Sequence, residues 1–244
     1  MSHEHRLRPA RQGDPPTWGD RVLVAISGLD GSGKTTLAKA VVARIAAAGE
    51  TAARLKIGDL RSWSLLEQLG RQSKPYADYA FDADRISVAL NLERFALLSD
   101  QLAAYASAAR FLVIDRFTLD WAAVGRAFGS GEHELFLLRG LERLLPLRVE
   151  PFLLDVAPAL ADERIRLRGR TGELREGLPY LTNVDNAYRF LLASGEYRPT
   201  VLDGTLQPAQ LAELVVDRLE QRGLFGSEGV ERDRVDWSPS SFGQ

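Results

Sequence analysis

Eight residues, Gly28-Leu29-Asp30-Gly31-Ser32-Gly33-Lys34-Thr35, follow the pattern G-x-x-x-x-G-K-[ST], and each residue type in it has a use in holding a polyphosphate. Gly28, Gly31 and Gly33 let the backbone curl until successive N–H groups point inward at an anion. The helix that follows directs its positive end at the same place. Lys34 brings a point charge to the β and γ phosphates, and the Thr35 hydroxyl is suited to ligate a Mg²⁺ bound to them. Ser32 and Thr36, inside the pattern and just after it, complete the set expected around ATP together with Asp30. The chemistry implied is binding of a nucleoside triphosphate with Mg²⁺. A glycine-rich turn with a chance lysine is the plain alternative, and the strand-loop-helix context argues against it. Asp30 poses its own problem, because a carboxylate inside the cradle repels the triphosphate unless it has a partner. It either points outward to solvent or faces the acceptor side and accepts hydrogen bonds from a sugar hydroxyl.

The pattern alone does not separate a kinase from a switch or a motor. A guanine-nucleotide switch would carry Asn-Lys-x-Asp near a late strand, and the nearest approach, Asn183-Val184-Asp185, lacks the lysine. A metal cluster is not expected, since the chain has three histidines and no cysteine. The absence of cysteine also excludes disulfides, thiolate catalysis and thiolate-bound zinc. A net charge of -2 gives no whole-chain reason to expect nucleic acid or an anionic membrane as partner. No apolar run approaches the roughly 18 residues of a membrane span, and the basic start has no apolar segment behind it. The expectation is a soluble cytoplasmic protein.

The elements that must position these residues follow from hydrophobic periodicity and breakers. The 244 residues suit one domain with a lid, and 45% apolar residues supply a sizeable core. Residues 1–20 read as a loose arm, 21–222 as the domain, with a lid at about 160–180, and 223–244 as a loose tail. Strands are expected over Arg21–Ser27, Thr51–Ile57, Phe111–Asp115, Glu150–Val156 and Thr200–Asp203. Helices are expected over Lys34–Ala48, Arg61–Ser73, Tyr79–Arg110 (as one or two), Leu119–Phe128, Glu132–Leu145, Ala159–Arg168, Leu181–Ala193 and Pro208–Arg222. Strands alternating with helices imply an α/β fold, a five-stranded parallel sheet with helices on both faces and ligands at the carboxyl ends of its strands.

Three segments resemble the thymidylate kinases. "GLDGSGKTT" looks like their phosphate loop, in which an Asp at the position of Asp30 contacts the acceptor's sugar. Phe81-Asp82-Ala83-Asp84-Arg85 is similar to an F-x-x-D-R segment on a long helix. The resemblance implies that Phe81 stacks on the acceptor base and Arg85 contacts its edge, and a spacing of i and i+4 places both on one helical face. A core Phe81 and a surface ion pair at Arg85 form the plain alternative. Asp115-Arg116-Phe117 resembles the D-R-[YFW] signature. Asp115, at the carboxyl end of a strand, could hold a Mg²⁺-bound water, while Arg116 could neutralise the acceptor's phosphate through a bidentate contact. A helix-capping Asp115 is the alternative.

The resemblance further implies a P-loop kinase fold, an arginine-rich lid and a homodimer through the long helices. Arg164, Arg166, Arg168, Arg170 and Arg175 crowd the lid segment. Arg164, Arg168 and Arg170 are the expected source of charge for the transferred phosphate, since Leu29, Asp30, Gly31 and Ser32 supply no arginine. Tyr188 matches a family tyrosine after the lid and is expected at the acceptor. Asp203-Gly204-Thr205 resembles the turn beside the adenine.

The chain also departs from the family. Leu55-Lys56-Ile57-Gly58-Asp59-Leu60-Arg61 stands where an Arg-Glu-Pro-Gly-Gly segment usually helps hold the acceptor phosphate. Thr118-Leu119-Asp120-Trp121 lacks the Ser/Asn pattern expected near thymine, so Asp120 and Trp121 are acceptor contacts that would suit a different base or none. The leading expectation is an ATP- and Mg²⁺-dependent kinase of a nucleoside monophosphate, dTMP first. The second is a kinase of a nucleoside or other small alcohol, with Asp59 as general base. A non-catalytic or switch-like nucleotide-binding protein is the third.

Overall fold

β1 (Val22–Gly28) is buried along its whole length and lies at the centre of the sheet. A strand covered on both faces must be apolar at every position, and this one sends Val22, Val24 and Ile26 to one core and Leu23 and Ala25 to the other. The computed structural model describes residues 18–57, 83–105, 108–169 and 177–225, and residues 83–86 through their helical backbone alone. The helix expected over 61–73, nearly all of the loose arm and tail, and the middle of the lid lie outside the described residues.

The remaining strands are β2 (Ala52–Leu55), β3 (Phe111–Asp115), β4 (Arg148–Asp155) and β5 (Thr200–Asp203). All neighbours run parallel, in the order β2-β3-β1-β4-β5. The register pairs Ile26 with Asp115 and Asp155 with Asp203. Gly28, Asp115, Asp155 and Asp203 therefore emerge at one edge, the carboxyl edge.

Seven helices are present among the described residues: α1 (Lys34–Ala47), α2 (Ala83–Tyr105), α3 (Thr118–Ala127), α4 (Glu132–Arg143), α5 (Pro158–Leu167), α6 (Leu178–Ala193) and α7 (Pro208–Gln221). α1 and α7 cover one face with Leu37, Val41, Ile45, Leu211, Val215 and Leu219. α2, α3 and α6 cover the other through residues such as Phe95, Leu98, Ala123, Leu181 and Leu191. Each fully buried leucine, valine or isoleucine among them stabilises the fold by about 1.5–3 kcal/mol. None of the described helices is long and apolar enough to cross a membrane.

The expected elements differ from the observed ones mainly at their ends. α5 and α6 start earlier than the periodicity suggests, because Pro158 and Pro179 sit in their first turns. Proline is tolerated there, since its missing N–H would be unpaired anyway. β4 starts at Arg148, two residues before the apolar run, where Arg148 and Arg222 each lie 2.5 Å from the carboxylate of buried Glu150.

Candidate active site

The phosphate loop joins β1 to α1. Gly31 has φ +83, and a Cβ there would come within 2.3 Å of the Ala161 carbonyl oxygen, so α5 and the loop approach too closely for any side chain. Gly33 begins α1 in the left-handed conformation, and no side chain caps the helix. Lys34 is buried, and its ammonium donates to the carbonyls of Gly28 and Leu29, both at 2.7 Å. Burial pushes the Lys34 ammonium below its ordinary range, opposed by the charges of Asp120 and Asp115 and assisted by Arg168. Thr35 and Thr36 are exposed on the first turn of α1.

The Thr35 hydroxyl donates to one oxygen of Asp115, tying α1 to the end of β3. The other Asp115 oxygen is shielded from solvent without a hydrogen-bond partner among the described residues, and so is the Ser32 hydroxyl inside the loop. An orphaned carboxylate oxygen beside a hydroxyl is an all-oxygen donor set that suits Mg²⁺. Among the described residues no group of three or more His, Asp or Glu would hold a metal unaided. An ion here would take its other ligands from phosphate and water.

Asp30 does not point to solvent. It forms an ion pair with Arg116 and lies 3.8 Å from the Lys34 ammonium. These two cations account for a carboxylate inside the cradle. Arg116 has φ 76, the one positive φ outside glycine among the described residues, and its N–H donates to Ile26 at 3.0 Å. Such a conformation costs on the order of 1–3 kcal/mol and persists where its surroundings fix it. Here it turns a half-exposed guanidinium over the loop, toward Asp30.

Arg164 reaches the loop from α5, donating to the Ser32 carbonyl and, through two nitrogens, to the Gly204 carbonyl, all at 3.1 Å. It thereby fastens the loop to the turn after β5. In that turn Asp203 accepts from the Thr205 N–H at 2.9 Å and hydroxyl at 2.7 Å, which hold its carboxyl below the ordinary range. Gly204 donates to Asp155 at 2.8 Å. Arg168 ends α5 on the surface, where its charge reaches Lys34.

Three expected acceptor contacts lie deeper. Asp120 is 1% exposed and accepts from the Gly28 and Phe117 N–H groups, each at 3.2 Å. Tyr188 donates to Asp120 at 2.7 Å. Trp121 packs edge-on to Phe95 and Phe117, with Arg94 over its ring at 5.4 Å. Asp59, Phe81 and Arg170 lie outside the described residues, as does the side chain of Arg85. Sequence reasoning did not single out Asn91 and Glu134, buried polar residues joined at 2.6 Å between α2 and α4. A polar residue within an otherwise apolar helical stripe was the available signal for Asn91.

No family model matches the chain. Thymidylate kinases of Leptospira interrogans, from serovars copenhageni and Lai, are each 26% identical to it over 196 residues, which span 79% of this chain and 90% of theirs. Two structures of deoxyadenosine kinase from M. mycoides superpose on it at 18% identity. The one with the products dCMP and dCDP has a TM-score of 0.55 and covers 82% of this chain; the one with dATP has 0.54 and covers 81%. Each match takes in 99% of the kinase chain and establishes a shared fold. With this loop on this sheet, the chain is similar in sequence to thymidylate kinases and shares the fold of a P-loop nucleoside kinase.

Proposed function

We propose that the chain transfers the γ-phosphoryl group of ATP to a nucleoside monophosphate, with dTMP the first candidate. The carrying observation is the Asp30–Arg116 pair, set beside the Thr35–Asp115 contact at the carboxyl edge. A donor cradle and a cation for an acceptor phosphate thus adjoin one another. The loop N–H groups and α1 hold the triphosphate. Lys34 leaves the Gly28 and Leu29 carbonyls for the transferring phosphate. Arg116 holds the acceptor's phosphate, and Asp30, relieved of it, accepts from the sugar. Arg168 and Arg170 bring lid charge, while Arg164 keeps the loop and the base-side turn together. Thr35 and Asp115 would hold Mg²⁺, which would offset the charge of the phosphates. Catalysis on this scheme is positioning and charge neutralisation.

A second reading, a nucleoside as acceptor, is favoured by the Leu55–Arg61 segment, which departs from the usual phosphate-holding sequence. Asp59 would then be the base. ADP release with ATP, Mg²⁺ and a panel of nucleosides and their monophosphates tests both. Stimulation by monophosphates is expected, stimulation by nucleosides alone would establish the second reading, and no stimulation by any acceptor would overturn both. The proposal includes a homodimer through α2, for which a monomeric mass in solution would be the contrary result.

A further inference from the structure

Phosphoryl transfer as set out above leaves two buried groups, the Asp120 carboxylate and the Tyr188 phenol, without a task. They meet at the first glycine of the loop. The Gly28 N–H lies 3.2 Å from both Asp120 Oδ1 and Tyr188 Oη. The phenol donates to the same carboxylate oxygen at 2.7 Å and lies 3.2 Å from the Gly28 carbonyl. Asp120 Oδ2 accepts from Phe117, closing the first turn of α3. We propose, on the kinase reading above, that Asp120 and Tyr188 form a buried brace that sets the Gly28 peptide, and with it the phosphate loop, for phosphoryl transfer.

The Gly28 peptide needs such a device. Its carbonyl holds the Lys34 ammonium, so rotation of the peptide displaces the lysine. Packing secures it on one side only. A Cβ on Gly28 would meet the Leu154 carbonyl oxygen at 2.7 Å, yet Gly28, Leu29 and Tyr188 also border a cavity of about 240 Å³. Hydrogen bonds must supply the remaining constraint. Burying a carboxylate with no cation of the described residues in direct contact is costly, and Asp120 is retained there with three donors around it. Burial, and then Asp120 itself, push the Tyr188 phenol well above its ordinary range, which keeps the donor proton in place. The brace also spans the reaction. α3 starts two residues after Arg116, and α6 follows the lid segment. One triangle of hydrogen bonds therefore fastens the donor loop to the helix behind the acceptor cation and to the helix after the lid. On this assignment both residues are positioning residues and touch no substrate.

The test uses the full chain with Tyr188→Phe, Asp120→Asn and the double variant. Four quantities are measured: kcat, acceptor KM, Tm, and the Kd of a non-hydrolysable ATP analogue with Mg²⁺. Tyr188→Phe keeps the ring and removes only the bridging hydroxyl, so kcat should fall about tenfold while acceptor KM stays within about twofold. The double variant should lose little more than the worse single, because both act on one peptide. A raised acceptor KM at unchanged kcat would overturn the brace in favour of an acceptor contact. A lowered Tm with kinetics and Kd unchanged would reduce it to a structural tie. If Asp120→Asn does not fold, Tyr188→Phe decides alone. If the wild type phosphorylates no acceptor, the kinase reading fails by itself. The brace is then judged on Kd, where about tenfold weakening in Tyr188→Phe supports it and an unchanged value overturns it.

Discussion

Two carbonyl oxygens of its own loop hold Lys34, and on the proposed function a polyphosphate must draw it away from them. Its charge is then spent on oxygens whose charge changes during transfer, so the loss in Lys34→Ala should fall on kcat, on the order of 10²-fold or more. Near-normal kcat in a folded variant would contradict the proposed role. Arg116 and Asp59 decide what the acceptor is. A monophosphate acceptor presents an ionised nucleophile that needs no base, so Arg116→Ala should cripple turnover and Asp59→Asn should change it little. For a neutral hydroxyl the order inverts, with Asp59→Asn losing about 10²–10⁴-fold. Kinetics of both variants on one active acceptor distinguish the cases, and we expect the first. At this scale legibility followed sequence distance. The loop residues lie within one short pattern, so their clustering was legible in it. The hydrogen bonds of Asp120 were not, because its partners Gly28 and Tyr188 are 92 and 68 positions away. The Asp30–Arg116 pair spans 86 positions, and no spacing rule brings those two together.

Elements meet through polar contacts as well as apolar ones, and the junction of α2, α3 and α4 is the clearest case. Glu134, 2% exposed, accepts from Asn91 at 2.6 Å, and Arg94 holds the Asn91 oxygen at 2.5 Å. Gly125 on α3 admits them, since a Cβ there would fall 1.9 Å from the Glu134 carboxylate. Burial pushes the Glu134 carboxyl above its ordinary value of 4.5, opposed by hydrogen bonds from Asn91, Ser130 and Ser87 and by the charge of Arg94. The folded protein therefore holds this proton to higher pH than the unfolded chain does. Its contribution to stability is fully present below the unfolded value and declines as pH rises through the folded one. Glu134→Gln removes that titration and keeps an acceptor for Asn91. The Tm of the variant relative to the wild type should accordingly rise as pH is raised from about 4.5 toward neutrality. A difference that stays flat or falls would contradict it. The elements themselves were largely legible. β5 has the expected limits and α1 the expected start, because apolar period and breakers agree there. α5 and α6 were read short at prolines that local pattern treats as stops, and β4 at Arg148, a charge paired with Glu150 on the same strand.

At the scale of the whole molecule, the site belongs to no single segment. The loop comes from β1 and α1, Asp115 from the end of β3 with Arg116 just after it, Arg164 from α5, Tyr188 from α6, and the Asp203–Thr205 turn from between β5 and α7. The parallel order β2-β3-β1-β4-β5 brings all of them to one edge, and alternating strands and helices in the sequence already implied such an edge. A site assembled in this way exists only in the folded chain, so nucleotide binding must shift the global unfolding equilibrium. At a free concentration of about 100 times Kd, a ligand that binds only the native state adds about 2.7 kcal/mol. For a domain of this size that corresponds to a rise in Tm of roughly 5–10 °C. Mg²⁺ with ATP should produce this rise. On the proposed function a chelator should reduce it, because Thr35 and Asp115 would then face the triphosphate without a neutralising cation. Tyr188→Phe should show a smaller rise at the same nucleotide concentration, since a looser loop binds more weakly. Thermal unfolding followed by circular dichroism over a series of nucleotide concentrations measures all three. An unchanged Tm at millimolar ATP with Mg²⁺ would mean that the loop does not hold the nucleotide.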